Sequence, residues 1–182
     1  TFSQNGEDGI IHEVFKRLNI EKGTFLEIGT GDGTENNTRL LLEIGWKGHW
    51  IEGSKNCIDK IKDDLSDFIV NGSLKTSLHH VTKDNINDIL ERELGEVQVN
   101  LLSLDLDLTT HLVWEKLSYI EAMVVVIEYN GFFPDGSIWQ ANVGEDELWD
   151  GSLNMGASLQ TIIGISKKKG YEFIGCDITG TN

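Results

Sequence analysis

The sequence predicts an α/β fold, doubly wound around a mostly parallel sheet, and two patterns predict it. Short apolar runs alternate with stretches of helical apolar spacing along the whole chain, and that alternation builds βαβ crossovers. Val124-Val125-Val126-Ile127 is apolar without a break, as a central strand covered on both faces has to be. The 182 residues are 39% apolar, enough for one sizeable core, and no linker or repeat divides them. Residues 1–182 therefore read as one domain.

Each element has its own signal. Apolar spacing near 3.6 predicts helices over 7–18, 37–44, 56–65, 85–94, 111–117 and 157–169. The apolar runs 24–28, 48–51, 78–81, 100–106, 122–128 and 171–176 predict strands. Residues 129–155 break the rhythm with Gly131, Pro134, Gly136, Gly144 and Gly151 and the aromatic residues Phe132, Phe133, Trp139 and Trp149. Loops this long in compact domains usually carry function. This one follows the fifth strand and so emerges at the carboxyl edge of the sheet, where open α/β folds bind ligands; it is the expected substrate loop.

Composition narrows the class. Asp and Glu outnumber Lys and Arg 30 to 15, a formal charge of -15 that repels phosphate backbones, so nucleic acid is not an expected partner. A well-solvated acidic surface accounts for the charge. Cys57 and Cys176 match no ligand spacing, and buried free thiols are expected rather than a disulfide or zinc site. No apolar run approaches the roughly 20 residues of a membrane span, and no signal-peptide pattern opens the chain. A soluble, cytoplasmic protein with no membrane partner is the expectation.

The most informative segment is Thr24-Phe-Leu-Glu-Ile-Gly-Thr-Gly-Asp-Gly, a strand that runs straight into a loop carrying Gly29, Thr30, Gly31 and Gly33. Glycines there let backbone approach a ligand closely. Their G-x-G-x-G spacing differs from the G-x-G-x-x-G of dinucleotide sites, and Glu27, two positions before Gly29, disfavours a pyrophosphate. A carboxylate there suits an ammonium group, met directly or through water, which S-adenosylmethionine offers. Glu52 ends the second strand about 20 residues beyond the loop, with Gly53 and Ser54 behind it, where a carboxylate accepts ribose hydroxyls. Asp84 and Asn85 follow the expected third strand; Asp84 reads equally well as an adenine contact or as the N-cap of the next helix. Asn37 and Thr38 open a helix whose free amides suit the methionine carboxylate, with plain capping as the other reading.

Acids gather at the later strand ends. Asp105 and Asp107 close the fourth strand and share a face, as do Glu128 and Asn130 at the end of the fifth, so all four should border the crevice. Three readings stand for this cluster: a general base, a divalent-cation site, or hydrogen bonding that orders the loop. No metal is assigned. His111 is a further candidate base, since imidazole titrates near neutrality, though at a helix start it also reads as a capping or surface residue.

Ser3-Gln4-Asn5-Gly6-Glu7-Asp8, Phe25-Leu-Glu-Ile-Gly29, Asn37-Thr38 with Gly45-Trp46-Lys47-Gly48, Leu102-Ser-Leu-Asp-Leu-Asp107, Val126-Ile-Glu-Tyr-Asn130 and the tail from Gly156 to Cys176 together resemble FkbM-like methyltransferases, in an uncharacterised branch. The resemblance spans nearly the whole chain. It implies a Rossmann-like, seven-stranded methyltransferase fold, S-adenosylmethionine as donor, and O-methylation of a small molecule or glycan. It also implies that Gln4, Glu7 and Asp8 face the cofactor across the top of the sheet; the other reading is that Ser3 or Asn5 caps the first helix. Two departures stand out. Leu108-Thr-Thr-His111 replaces a Gly-Asn-Asp type segment, and the last strand of the fold has no counterpart, which would expose a sheet edge. A noncatalytic binding module on the same fold is the alternative, and an NAD-dependent oxidoreductase a more distant one.

Overall fold

The computed structural model describes residues 2–144, 151–177 and 179–181; Trp149 of the aromatic loop lies outside them. In chain order the elements are α1 (Glu7–Arg17), β1 (Thr24–Ile28), α2 (Arg39–Glu43), β2 (Lys47–Glu52), α3 (Lys55–Asp64), α4 (Ser66–Val70), β3 (Leu74–Leu78), α5 (Ile86–Leu94), β4 (Leu101–Leu104), α6 (Thr110–Lys116), β5 (Val124–Ile127) and α7 (Leu159–Lys168). The strands form one parallel sheet in the order β3-β2-β1-β4-β5. The order of winding reverses between β1 and β4, which makes the crevice above them the topological switch point.

Strand alternation sorts the core into two layers. Leu26, Ile28, Ile51, Leu102 and Leu104 meet Ile86, Ile89 and Leu90 of α5, Val113 and Trp114 of α6, and Ile162 and Ile165 of α7. On the other face Phe25, Trp50, Leu74 and Leu101 meet Ile11 and Phe15 of α1, Leu41 and Leu42 of α2, Trp46, and Ile61 of α3. Phe15 and Trp46 pack edge to face with centroids 4.6 Å apart. Glu27 falls on this second face, one step beyond the layer that Phe25 anchors.

Register aligns the strand ends. Ile28 pairs with Ile51 and Leu104, and Leu104 with Ile127, so Gly29, Glu52, Asp105 and Glu128 leave the sheet at one level. The pairing runs on past the strands: Gly29 N–H donates to Ile51 O, Asp105 N–H to Ile28 O, and Glu128 N–H to Leu104 O, at 2.9–3.0 Å.

Three expectations are corrected. The third strand is 74–78, not 78–81: it is the edge strand, half polar in sequence, so the apolar run beyond it misled. Residues 171–176 form no strand. Tyr171 is pinned by its N–H to Ser166 O and its hydroxyl to Ala122 O, but no backbone bond joins 171–176 to β5 among the described residues. The described sheet therefore has five strands rather than seven. Neither cysteine is buried: Cys57 is half-buried and Cys176 exposed. No helix among the described residues is long and apolar enough to cross a membrane.

Candidate active site

The glycine loop is held by backbone geometry that only glycine supplies at its first position. Gly29 has φ 83°, and a Cβ there would lie 1.6 Å from the Asp105 carbonyl oxygen, so the loop after β1 presses on the end of β4. Gly31 is also left-handed, at φ 52°, but a Cβ there meets nothing within 4 Å; it borders open space. At Gly33, φ 82°, a Cβ would crowd Ile61 and Trp50. Thr30 and Asn36 are buried, and Asn36 Nδ2 donates to Thr30 O at 3.1 Å. Thr30 Oγ1 and Asn36 Oδ1 have no partner among the described residues.

Glu52 is where the sequence placed it. One carboxylate oxygen accepts from Gly31 N–H at 2.9 Å and the other from Ser54 N–H at 2.7 Å, which fixes the acid against the loop. Ser54 is also the N-cap of α3, accepting from Cys57 N–H at 3.4 Å. Gly53 has ordinary contact with His80 and needs no glycine for space.

Glu27 takes a different role from the expected one. It is buried, and accepts from Asn37 N–H at 3.0 Å and from the N–H and hydroxyl of Thr38, whose hydroxyl is in turn bonded by Trp50 Nε1 at 2.8 Å. Burial pushes its carboxyl up to about 7 against these bonds. It braces β1 to the start of α2 and does not stand open to an ammonium group. For the same reason the amides of Asn37 and Thr38 are not free for a carboxylate ligand: Glu27 already holds them.

The remaining donor-side candidates divide. Asn85, not Asp84, occupies the cap position of α5; its side chain bonds Thr82 N–H and His80 O, while Asp84 is exposed. Gln4 is exposed in the bend before α1. Glu7 and Asp8 are buried: Glu7 accepts from Asn5 N–H and Nδ2, and Asp8 exchanges bonds with Ser3. The cap of α1 is Gly6 in the left-handed conformation, rather than Ser3 or Asn5.

The predicted acidic cluster assembles. Asp105, Asp107 and Glu128 each place a carboxylate oxygen within 4.8 Å of the others. Asp107 is exposed and left-handed at φ 51°; Glu128 is buried, and its Oε2 accepts from Thr110 Oγ1 at 3.1 Å. Burial raises Asp105 to about 6 and Glu128 well above the usual range, and the charge of Asp107 beside them adds to both shifts. Thr110 is a member the sequence reading missed, although Leu106-x-x-x-Thr110 at a strand-to-helix turn could have flagged it. Asn130 orders the loop instead of facing a ligand: its Nδ2 donates to Leu153 O and Met155 O, and its Oδ1 accepts from Phe132 N–H. Phe133 and Trp139 stack at 4.3 Å within that loop.

His111 does not join the carboxylates. It is 1% exposed, neither ring nitrogen has a partner among the described residues, and burial lowers its pKa, so it is neither a capping nor a surface residue. An apolar cleft of about 380 Å³ lies away from the glycine loop, along the outer edge of β5 between α1 and α7, with Glu7 and Tyr129 in its lining.

No family model matches the chain, and no curated protein matches it in sequence. Solved structures do match. A Staphylococcus aureus protein provisionally assigned as a caffeoyl-CoA O-methyltransferase is similar at a TM-score of 0.50 and 13% identity, over 66% of this chain and 55% of that one. S-adenosylmethionine-dependent methyltransferases in complex with S-adenosyl-L-homocysteine are also similar: one from Thiobacillus denitrificans (TM-score 0.39, 16% identity, 57% of this chain and 37% of that one) and one from Geobacter sulfurreducens (0.39, 13%, 56% and 36%). The match spans about half the length of the Staphylococcus protein. At these identities the likeness is one of fold alone: the parallel α/β architecture shared with the Staphylococcus protein.

Proposed function

We propose that the chain is an S-adenosylmethionine-dependent methyltransferase domain of FkbM-like type that methylates oxygen on a small molecule or glycan. One observation carries the reading: the glycine loop opens at the switch point of the sheet with Glu52 bonded to Gly31 beside open space. The local chemistry fits such a donor. Glu52 suits the ribose hydroxyls, Gly31 offers a face without Cβ, and Thr30 Oγ1 and Asn36 Oδ1 are buried polar atoms still owed a partner. The methionine end would be met by groups other than the Asn37 and Thr38 amides. The acidic surface argues against nucleic acid as acceptor, and a cytoplasmic location remains part of the proposal.

A bound donor supplies a methyl group on a positively charged sulfur that leaves with the electron pair of the broken bond. The chain itself has to hold the acceptor oxygen in line and take its proton. Asp105 is suited to accept that proton. It is partly accessible, stands at the end of β4 next to Gly29, and is raised to about 6 by burial, so at neutral pH it is a carboxylate with more basicity than a free aspartate. The test uses methyl-labelled S-adenosylmethionine and a panel of hydroxylated small molecules and glycans. Transfer should occur, and Asp105→Asn should slow it by about 100-fold or more; transfer at an unchanged rate in the variant overturns Asp105 as the base.

A further inference from the structure

One peptide unit in the glycine loop is held at both ends. The Thr30 carbonyl oxygen accepts from Gly33 N–H at 3.2 Å and from Asn36 Nδ2 at 3.1 Å, which fills both of its lone pairs. Across the same peptide bond Gly31 N–H donates to Glu52 Oε2 at 2.9 Å. A trans peptide points its C=O and N–H in opposite directions, so the bond that draws Thr30 O towards Asn36 also aims Gly31 N–H at Glu52. Nothing in residue 31 itself enforces this. Gly31 stands at φ 52°, and a glycine takes φ of either sign with little penalty, so its own backbone permits the Thr30–Gly31 peptide to turn over. Turned over, the peptide would set the Thr30 carbonyl against the Glu52 carboxylate, acceptor against acceptor.

We infer that Asn36 is a positioning residue: it locks the Thr30–Gly31 peptide in the orientation that holds Glu52 ready for a ligand. Asn36 is 1% exposed and Thr30 4%, so the bond between them is shielded from water. The carboxamide has one productive orientation. Turned round, Oδ1 would meet Thr30 O; as it stands Nδ2 makes the bond, and Oδ1 has no partner among the described residues. The side chain is therefore buried for the sake of a single donated bond, the one to the loop. Asn36 is itself anchored on both sides. Its N–H donates to Phe2 O at 3.1 Å, and Glu27 holds the amides of Asn37 and Thr38 directly behind it. Glu52 is then fixed by two backbone amides, those of Gly31 and Ser54, and each carboxylate oxygen keeps a lone pair for a hydroxyl. The lock deepens the methyl-transfer reading and rests on it for what Glu52 receives, but the orientation of the peptide is independent of any donor.

The experiment follows the Gly31 amide by proton–nitrogen NMR in the folded chain and S-adenosylhomocysteine binding by calorimetry. The proteins are wild type, Asn36→Leu, Asn36→Ala and Glu52→Gln, with Ile165→Val, a cavity in α7 on the opposite face of the sheet, as the control for lost stability alone. Removing Nδ2 should move the Gly31 amide proton upfield, the direction in which Glu52→Gln moves it, and weaken binding at least about fivefold. Ile165→Val should do neither. Asn36→Ala serves if the leucine does not fit beneath the loop. A folded Asn36 variant whose Gly31 resonance stays in its wild-type place overturns the lock. So does an amide that moves while the variant binds S-adenosylhomocysteine as tightly as a binding wild type. If the amide moves but wild type binds no S-adenosylhomocysteine, the lock on the peptide stands and the methyltransferase reading falls.

Discussion

Two glycines in one loop should fail for different reasons. In Gly29→Ala the new methyl would stand 1.6 Å from the Asp105 carbonyl oxygen and 2.7 Å from its carbonyl carbon, so the end of β4 has to move by more than an ångström. Overpacking of that kind costs about 1–3 kcal/mol, and the left-handed φ of 83° adds about 1–2 kcal/mol. The sum, about 2–5 kcal/mol, is a large share of a stability on the order of 5–15 kcal/mol and lowers Tm by roughly 4–20 °C in a chain this size. Gly31→Ala meets nothing within 4 Å and bears only the conformational cost of about 1–2 kcal/mol. Its methyl instead enters the space assigned to the donor and should weaken S-adenosylhomocysteine binding at least about tenfold, or 1.4 kcal/mol. Urea denaturation ranks the stabilities and calorimetry reads the binding. Gly29→Ala as stable as Gly31→Ala, or Gly31→Ala binding like wild type, refutes the division of roles.

Other consequences follow from single contacts. Glu27 is raised from 4.5 to about 7 by burial, so the folded state holds its proton over a range where the unfolded state has lost it. Its contribution is fully present below about pH 4.5 and is lost as pH rises through 7, a change on the order of 3 kcal/mol that urea midpoints measured against Glu27→Gln should lose in the variant; equal pH dependence in both proteins contradicts it. Asn130→Ala removes three bonds that tie Phe132, Leu153 and Met155 to the end of β5, and limited proteolysis should then cut beside these residues several-fold faster at unchanged cutting elsewhere.

Much of this was legible from local pattern. The strand into Gly29, the acid at Glu52 and the carboxylates at Asp105, Asp107 and Glu128 could be read because strand ends in a parallel sheet gather at one edge whatever the helices do. What the pattern hid was tertiary. Whether Glu27 faces a ligand or α2 depends on which layer of the sheet it enters, and the same contact consumes the Asn37 and Thr38 amides that the sequence left free. His111 looked titratable because its burial in α6 leaves no mark on neighbouring residues. The run 78–81 outcompeted the true strand, since an edge strand such as Leu74-Lys-Thr-Ser-Leu78 keeps polar side chains; Lys75 and Ser77 both bond Glu93 of α5. Residues 171–176 alternate like a strand, but a strand needs a partner as well as a pattern.

The most direct measurement is calorimetry of the folded chain with S-adenosylmethionine and S-adenosylhomocysteine, with NAD as the competitor and Glu52→Ala and Gly31→Val as controls. A donor site at the glycine loop predicts saturable binding of one equivalent, indifferent to NAD and lost in both variants. A well-folded wild-type chain that takes up neither compound contradicts it.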